Sequence, residues 1–359
     1  MKRRSSRHSP SLAGGLAVSF VTVVLCLLVG EVLTRVFDPE ASLWRYPNYI
    51  HELTYRPVLQ RQLAYDSELG WQPIPGVSGT LMDKPFTVSA EGTRAHNLGQ
   101  PAATGPLILT LGDSFTEGFG VGNDETWPAD LERLTGRRVL NGGVRGYGID
   151  QMVLRAERLV PRLKPHTVVL AFIADDTTRT SFSVRDSMGK PYFMPAGDSL
   201  ELRNVPVQTA LKSPWLTAAR DVLGYSRLLD FVMRRLGAVE LWYGDVVWTG
   251  ADPAVISCRL MDRFADLVRR QDVKALVVSL PQSLGWSDPA GGAAEHAAVA
   301  AVLGCATKAG LPTLDTFGPF EKEGVGRAPD SYYANYHLNV RGNALAARLI
   351  ADALKTGDE

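Results

Sequence analysis

Cysteine is scarce, with three residues in a chain of 359: Cys26, Cys258 and Cys305. There is no Cys-x-x-Cys pair and no close histidine cluster, which argues against a metal site. Gly-Lys-Ser/Thr and Gly-x-Gly-x-x-Gly are also missing. Neither Gly118-Phe119-Gly120-Val121-Gly122 nor the later glycine run therefore reads as a phosphate or dinucleotide loop. Net charge is absent too, since 38 basic residues balance 38 acidic ones. Four of the basic residues, Lys2, Arg3, Arg4 and Arg7, stand at the N-terminus and leave a mildly acidic remainder. That balance excludes the electrostatic footprint of a nucleic-acid binder. Internal repeats and low-complexity tracts are lacking as well.

One long stretch lacks charge altogether. From His8 to Gly30 there is no Asp, Glu, Lys or Arg. The segment Leu12 to Gly30, about 19 residues at ~1.5 Å each, just crosses a ~30 Å hydrocarbon layer. Basic residues before it place 1–11 in the cytoplasm and send Glu31 onward across the membrane. A cleaved signal peptide competes, but Leu28-Val29-Gly30-Glu31 lacks an Ala-x-Ala-like site. Val23-Val24-Leu25-Cys26 is no lipoprotein box either. The expectation is an uncleaved anchor over 12–36, single-pass in the inner membrane, with the C-terminal domain exported. Cys258 and Cys305 then lie in an oxidising compartment, as a disulfide or as two buried thiols.

The remainder, 45% hydrophobic across the whole chain, is ample for one α/β core. Residues 37–105 form a lead-in of turns and short strands, including Tyr55-Arg56-Pro57 and Leu69-Gly70-Trp71. From 106 to 357 strands and helices alternate. Apolar runs predict strands near 107–112, 138–141, 167–173, 274–280 and 311–315. Periodicity predicts helices near 126–135, 150–164, 254–270, 294–309 and 340–355. Alternating βαβ units imply an α/β fold with a doubly wound parallel sheet. Residues 177–253 interrupt the alternation and are too long for an ordinary connection. A hairpin around Gly197-Asp198 and a helix near Tyr225 to Val232 are expected there. The insertion either caps the site, binds a partner or merely decorates the fold.

Gly112-Asp113-Ser114 follows the first buried strand, where open α/β sheets place their ligands. A serine hydroxyl needs a base within hydrogen-bond reach and donors aimed at the forming oxyanion. Of six histidines, His337 alone occupies a loop after the last strand, entering the final helix. Asn141-Gly142-Gly143-Val144-Arg145-Gly146-Tyr147-Gly148 allows positive φ and close backbone approach, which suits a main-chain donor. Asp113, Glu117, Gln151, Arg179 and Arg94 are softer pocket candidates. Asp175-Asp176 lacks a third ligand for a metal.

These blocks resemble the SGNH, or GDSL-like, hydrolase superfamily over roughly residues 106 to 355. Gly112-Asp113-Ser114-Phe115 looks like the serine block, and Asn141 to Gly148 like the glycine block, with Gly146 as its donor. Ala174-Asp175-Asp176 falls where the family carries Gly-Asn-Asp. Asn335-Tyr336-His337-Leu338-Asn339 falls where an Asp precedes the histidine by two or three residues. The resemblance implies a five-stranded flavodoxin-like sheet, a Ser114–His337 acyl-enzyme mechanism, an oxyanion hole from Ser114 and Gly146, and no cofactor.

Two positions depart from that pattern. Asp175 replaces an asparagine donor, and an ionised carboxylate there would oppose the oxyanion by ~4 kcal/mol at 4 Å and an effective dielectric of 20. It is expected either protonated or turned toward a neighbour such as Arg179. Asn335 and Ala334 occupy the places of the orienting carboxylate, leaving Asn335 to hold His337 through a carbonyl, or Asp330 as a substitute. The expected activity is that of an exported, anchored serine esterase or O-acyltransferase. Its substrates would be acylated polysaccharide, peptidoglycan or lipid, with other envelope proteins as partners. The rival expectation is an impaired domain that binds glycan or scaffolds an envelope assembly.

Overall fold

The computed structural model describes residues 12–38, 61–100, 103–186, 188–208, 218–219, 222–238 and 246–356. The basic segment 1–11 and the Tyr55-Arg56-Pro57 turn lie outside the described residues. The chain forms two compact units, one from residues 58–210 and 245–359, the other from 1–57 and 211–244. The 177–253 insertion is therefore divided between them.

At the centre of the larger unit stand five parallel strands: β1 (Gly105–Leu111), β2 (Arg137–Asn141), β3 (Thr167–Phe172), β4 (Lys274–Ser279) and β5 (Thr313–Asp315). Their order is β5-β4-β3-β1-β2, the flavodoxin-like arrangement. Alternate side chains of each strand face opposite layers. Val168, Leu170 and Phe172 pack with Met152, Val153, Phe264 and Val299. Val169 and Ala171 pack with Trp127, Leu131, Leu345 and Ile350. Helices thus cover both faces, and the doubly wound α/β fold expected from the alternation is present.

Helix boundaries follow their caps. Thr126 accepts from the Ala129 amide at 3.3 Å and starts Trp127–Thr135, which Gly136 ends in left-handed conformation at φ +66°. The helix expected from 294 instead runs Pro289–Lys308. Asp288 caps it, accepting from Ala290 N at 3.1 Å, and Pro289 sits where a missing N–H costs nothing. Gly291-Gly292 hid that first turn, because glycine weakens any helical reading. The strand expected from 311 starts at Thr313, since Pro312 has no N–H for the ladder.

The lead-in contributes two antiparallel hairpins, Leu63–Asp66 with Gly70–Pro73 and Ser78–Leu81 with Lys84–Thr87. Arg94 N then donates to Asn141 O at 2.8 Å, fastening the lead-in to the end of β2. In the insertion, Tyr192–Ala196 and Ser199–Arg203 form the hairpin around Gly197-Asp198. The smaller unit holds the helices Leu12–Phe37 and Arg227–Arg235. By length and composition, Gly14–Phe37 suits a membrane span or a signal sequence.

Cys258 and Cys305 are joined, with Cα atoms 5.2 Å apart, tying Pro253–Arg270 to Pro289–Lys308. Opening this 47-residue closure is expected to remove about 2–4 kcal/mol of stability. Urea unfolding of Cys258→Ser/Cys305→Ser against the parent measures this. Maleimide should also count one free thiol, Cys26, in the denatured, unreduced chain; three thiols would show the bridge does not form.

Candidate active site

β1 delivers its last residue into a tight turn. A Cβ on Gly112 would lie 2.6 Å from Ala171 O, so only glycine lets the chain bend against β3. Asp113 then caps the single-turn helix Ser114–Glu117, its Oδ1 accepting from Phe115 N at 2.8 Å. The turn leaves Ser114 7% exposed at the carboxyl edge of the sheet, beside the switch point between β1 and β3. There its Oγ stands 2.9 Å from His337 Nε2.

His337 reaches this place from a short hairpin rather than from the loop expected. Tyr333–Ala334 pairs with His337–Leu338, with Ala334 opposite His337. The two intervening residues both have positive φ, Asn335 at 49° and Tyr336 at 64°, the signature of a type I′ turn. Asparagine tolerates that conformation; a tyrosine does so at a cost of roughly 1–2 kcal/mol. The turn folds the Asn335 carbonyl back onto the ring, and His337 Nδ1 donates to that main-chain oxygen at 2.8 Å. Asn335 thus contributes its backbone, not its side chain. Asp330 is exposed on the Pro329–Ser331 turn, and no hydrogen bond or ion pair joins it to His337 among the described residues. The imidazole packs beside Phe115 and Phe119, at 5.1 and 4.7 Å between ring centroids. Burial lowers its pKa below the ordinary 6.5, against the Asn335 hydrogen bond, so the ring is neutral at pH 7.

Behind the serine lies a buried charge cluster. Arg179 Nη1 donates to Asp113 Oδ2 at 3.1 Å, to Tyr147 O at 3.0 Å and to Asp176 Oδ1. Burial opposes its charge, but Asp176 and Asp113 outweigh that and raise its pKa. Asp113 Oδ2 is also 3.3 Å from Ser114 Oγ. Asp176 accepts from Ile173 N at 2.9 Å, and burial, then the Asp113 charge, raises its pKa well above the ordinary carboxylate value. Asp175 takes the second of its two expected courses. Its side chain is 59% exposed and pairs with Arg179 at 3.7 Å.

The glycine loop wraps under the serine turn through Val144 N, which donates to Gly112 O at 3.0 Å. A Cβ on Gly143 would meet Glu117 N at 2.3 Å, so close approach dictates that glycine. Gly146 is left-handed at φ +79°, the conformation that turns this segment toward the helix Ile149–Leu163.

Three pocket candidates have other employment. Arg94, 2% exposed, donates to Glu117 O at 2.8 Å, Val121 O at 2.6 Å and Gly118 O, clamping the chain that leaves the serine helix. Burial lowers its pKa to about 10. Glu117 is buried against Arg145 at 2.9 Å, and burial raises its pKa. Gln151 is buried and donates to Leu69 O at 2.8 Å. None of the three lines the cavity beside Asp175. Sequence reasoning missed Phe119, four residues beyond Phe115, and Arg145. It also missed the buried role of Lys190, which pairs with Asp150 and donates to Arg179 O at 3.1 Å. The Phe-x-x-x-Phe spacing was the only visible signal among them.

A cavity of about 380 Å³ opens beside Asp175, lined by Thr178, Gln282, Leu284, Asp288 and Glu295 among others. Burial raises the Glu295 pKa to about 7. Chemically, the arrangement offers a hydroxyl bonded to a neutral imidazole.

The GDSL-like lipase/acylhydrolase family model matches residues 110–345. Among solved structures, TesA is similar, with a TM-score of 0.42 at 17% identity over 70% of this chain and 98% of its own. The acetylxylan esterase Axe2 of Geobacillus stearothermophilus gives 0.42 at 14%, over 71% and 96%. No curated protein sequence matches significantly. With its serine block, glycine block and late histidine inside the matched span, the chain belongs to the GDSL-like lipase/acylhydrolase family.

Proposed function

We propose that the protein is a serine esterase or O-acyltransferase that works through an acyl-serine intermediate. The 2.9 Å contact between Ser114 Oγ and His337 Nε2 carries this reading. With Nδ1 donating to Asn335 O, the tautomer is set and Nε2 is free to accept the serine proton. Ser114 attacks the ester carbonyl as His337 takes that proton. The tetrahedral oxyanion is held by the Ser114 and Gly146 amides. His337 returns the proton to the leaving alkoxide, and water or an acceptor hydroxyl then deacylates the enzyme by the reverse route.

The site lacks two family devices. Among the described residues no carboxylate meets Nδ1, which bonds the Asn335 carbonyl instead, and Asp175 cannot donate to the oxyanion. One oxyanion donor is worth about 10²–10³ in kcat. These losses favour a second reading, an impaired domain that binds glycan within an envelope assembly. The intact hydroxyl–imidazole contact favours the enzyme.

The substrate reading follows from the surroundings. The cavity beside Asp175 sets carboxylates and an amide among Leu284 and three alanines, a mixed lining that suits a small acyl group carried on a hydroxyl, and O-acetyl groups are the first choice of ester. The apolar helix Gly14–Phe37 and the joined cysteines support an exported domain on an inner-membrane anchor. Acylated polysaccharide, peptidoglycan or lipid made in the envelope would then be within reach.

A fluorophosphonate probe should label the full chain, and Ser114→Ala should abolish the labelling. A folded parent that stays unlabelled selects the binding reading. Hydrolysis of p-nitrophenyl acetate should follow deprotonation of His337. Because burial places that pKa below 6.5, kcat/KM should fall only as pH drops through a midpoint below 6.5 and stay flat through neutrality. A midpoint at or above 7 would point to an anionic partner for Nδ1. Since Asn335 acts through its carbonyl, Asn335→Gly should keep kcat/KM within about two-fold, glycine adopting the same turn without strain. Asp175→Asn should raise kcat by about ten-fold or more by restoring a donor; an unchanged kcat would show that position 175 does not face the oxyanion.

A further inference from the structure

The N-terminal helix has two dissimilar halves. From Gly14 to Val29 its side chains are exposed on every face, as a lipid-bathed helix requires. From Gly30 a stripe at Gly30, Thr34 and Asp38, spaced by one helical turn, is covered. The cover is the insertion segment 222–238, which lies in the same compact unit. Glu31 caps its helix from outside. One carboxylate oxygen accepts from Arg227 N at 2.9 Å, the other from Leu228 N and Ser226 Oγ, both at 2.9 Å. A carboxylate at a helix start satisfies orphan amides and meets the positive end of the dipole. Arg35 orients Glu31 at 2.7 Å and donates to Tyr225 O at 2.8 Å. Arg234 ties Asp38 to Asp230. Gly30 lets the two helices touch, since a Cβ there would lie 2.9 Å from Leu228 Cδ2.

Besides this contact, the segment exposes apolar side chains. Val222 is 73% exposed, Leu236 71%, Tyr225 51% and Leu223 48%, with Arg235 exposed among them. A ~30 Å crossing that starts at Leu12 takes about 20 residues and ends at Glu31. The clamped turns therefore stand at the boundary between hydrocarbon and headgroups. Apolar side chains flanking a short helix, with a tyrosine and an arginine at that depth, match an interfacial segment.

We propose that segment 222–238 is a membrane-interface arm. It locks onto the last turns of the N-terminal helix through Glu31 and rests Val222, Leu223, Tyr225 and Leu236 on the phospholipid bilayer. This rests on reading Leu12–Phe37 as a retained span, and a chain cut after that helix would lose the acceptor of two amides and a hydroxyl.

Two nitroxide labels on the full chain in phospholipid nanodiscs separate the questions. Cys26, the exposed free thiol, reports the span. Leu236→Cys in a Cys26→Ala background reports the arm. Oxygen accessibility exceeding that of a nickel chelate at both positions supports the proposal. A nickel-accessible Leu236 label beside a buried Cys26 label overturns the arm and leaves the span standing. A mature chain lacking Cys26, or a nickel-accessible Cys26, overturns the span and the arm together. Dipolar broadening between Leu236 labels would assign the apolar face to a second copy of the chain and overturn the lipid contact. In Glu31→Ala, hydrogen exchange at the Arg227 and Leu228 amides should quicken about ten-fold; unchanged exchange would show that Glu31 holds nothing.

Discussion

A guanidinium buried between two carboxylates organises everything at the carboxyl edge of this sheet. Arg179 comes from the insertion's first turn, Asp113 from the end of β1, and the Tyr147 carbonyl from the loop after β2. Asp176 follows β3 by four residues. Three segments that share no strand pairing at this edge are thus joined through one side chain. Removing such a charge would leave two buried carboxylates uncompensated, which costs about 3–5 kcal/mol in comparable pairs. The cluster also explains the departure at position 175. Asp175 sits one helical turn before Arg179, and with both inner positions taken by Asp113 and Asp176 it pairs from outside at 3.7 Å.

The same cluster acts on His337 in both directions. Asp113 favours a proton on His337 and Arg179 disfavours it, while burial is the largest effect and decides the direction. A triad carboxylate would supply an anion through Nδ1; here a neutral carbonyl supplies geometry alone. The hairpin compensates in precision. A two-residue turn leaves little slack between the acceptor at Asn335 and the ring at His337, and Phe115 and Phe119 close on its side. Orientation is therefore well provided, and charge stabilisation is weak. That combination suits a chemistry with a good leaving group or a site that turns over slowly.

Strands were legible because burial on both faces forces apolar runs, as in Thr167-Val168-Val169-Leu170-Ala171-Phe172. Ser114 and His337 were legible because each stands at a strand end or ahead of a helix. Side-chain employment was not. Arg94 and Glu117 looked like pocket residues because charge on a loop usually seeks water, yet both are buried on partners that only tertiary folding supplies. Arg94 spends its guanidinium on carbonyls 9 to 27 residues away, and the Asp113 partner of Arg179 is 66 residues distant. The hairpin under His337 escaped notice because Asn-Tyr is no turn signature; only the asparagine half of it favours positive φ. Pairing of Cys258 with Cys305 was open for a similar reason. Two helical cysteines say nothing about whether their helices are neighbours.

The insertion divides its labour in a way its length alone did not reveal. Its first part runs Phe182–Arg185 and Met188–Gly189 into the larger unit and buries Lys190 on Asp150 and on the main chain of Arg179. That lysine, 0% exposed, supports the residue that holds Asp113, so the inserted chain belongs to the framework of the site. Its later part joins the N-terminal helix instead. One continuous excursion between β3 and β4 therefore touches both the residues behind the serine and the helix suited to a membrane. A purely decorative loop would need neither a buried lysine in the first part nor a capped helix in the second. Each is costly to bury unless paired, and each is paired with a residue outside the insertion: Asp150 in one case, Glu31 in the other.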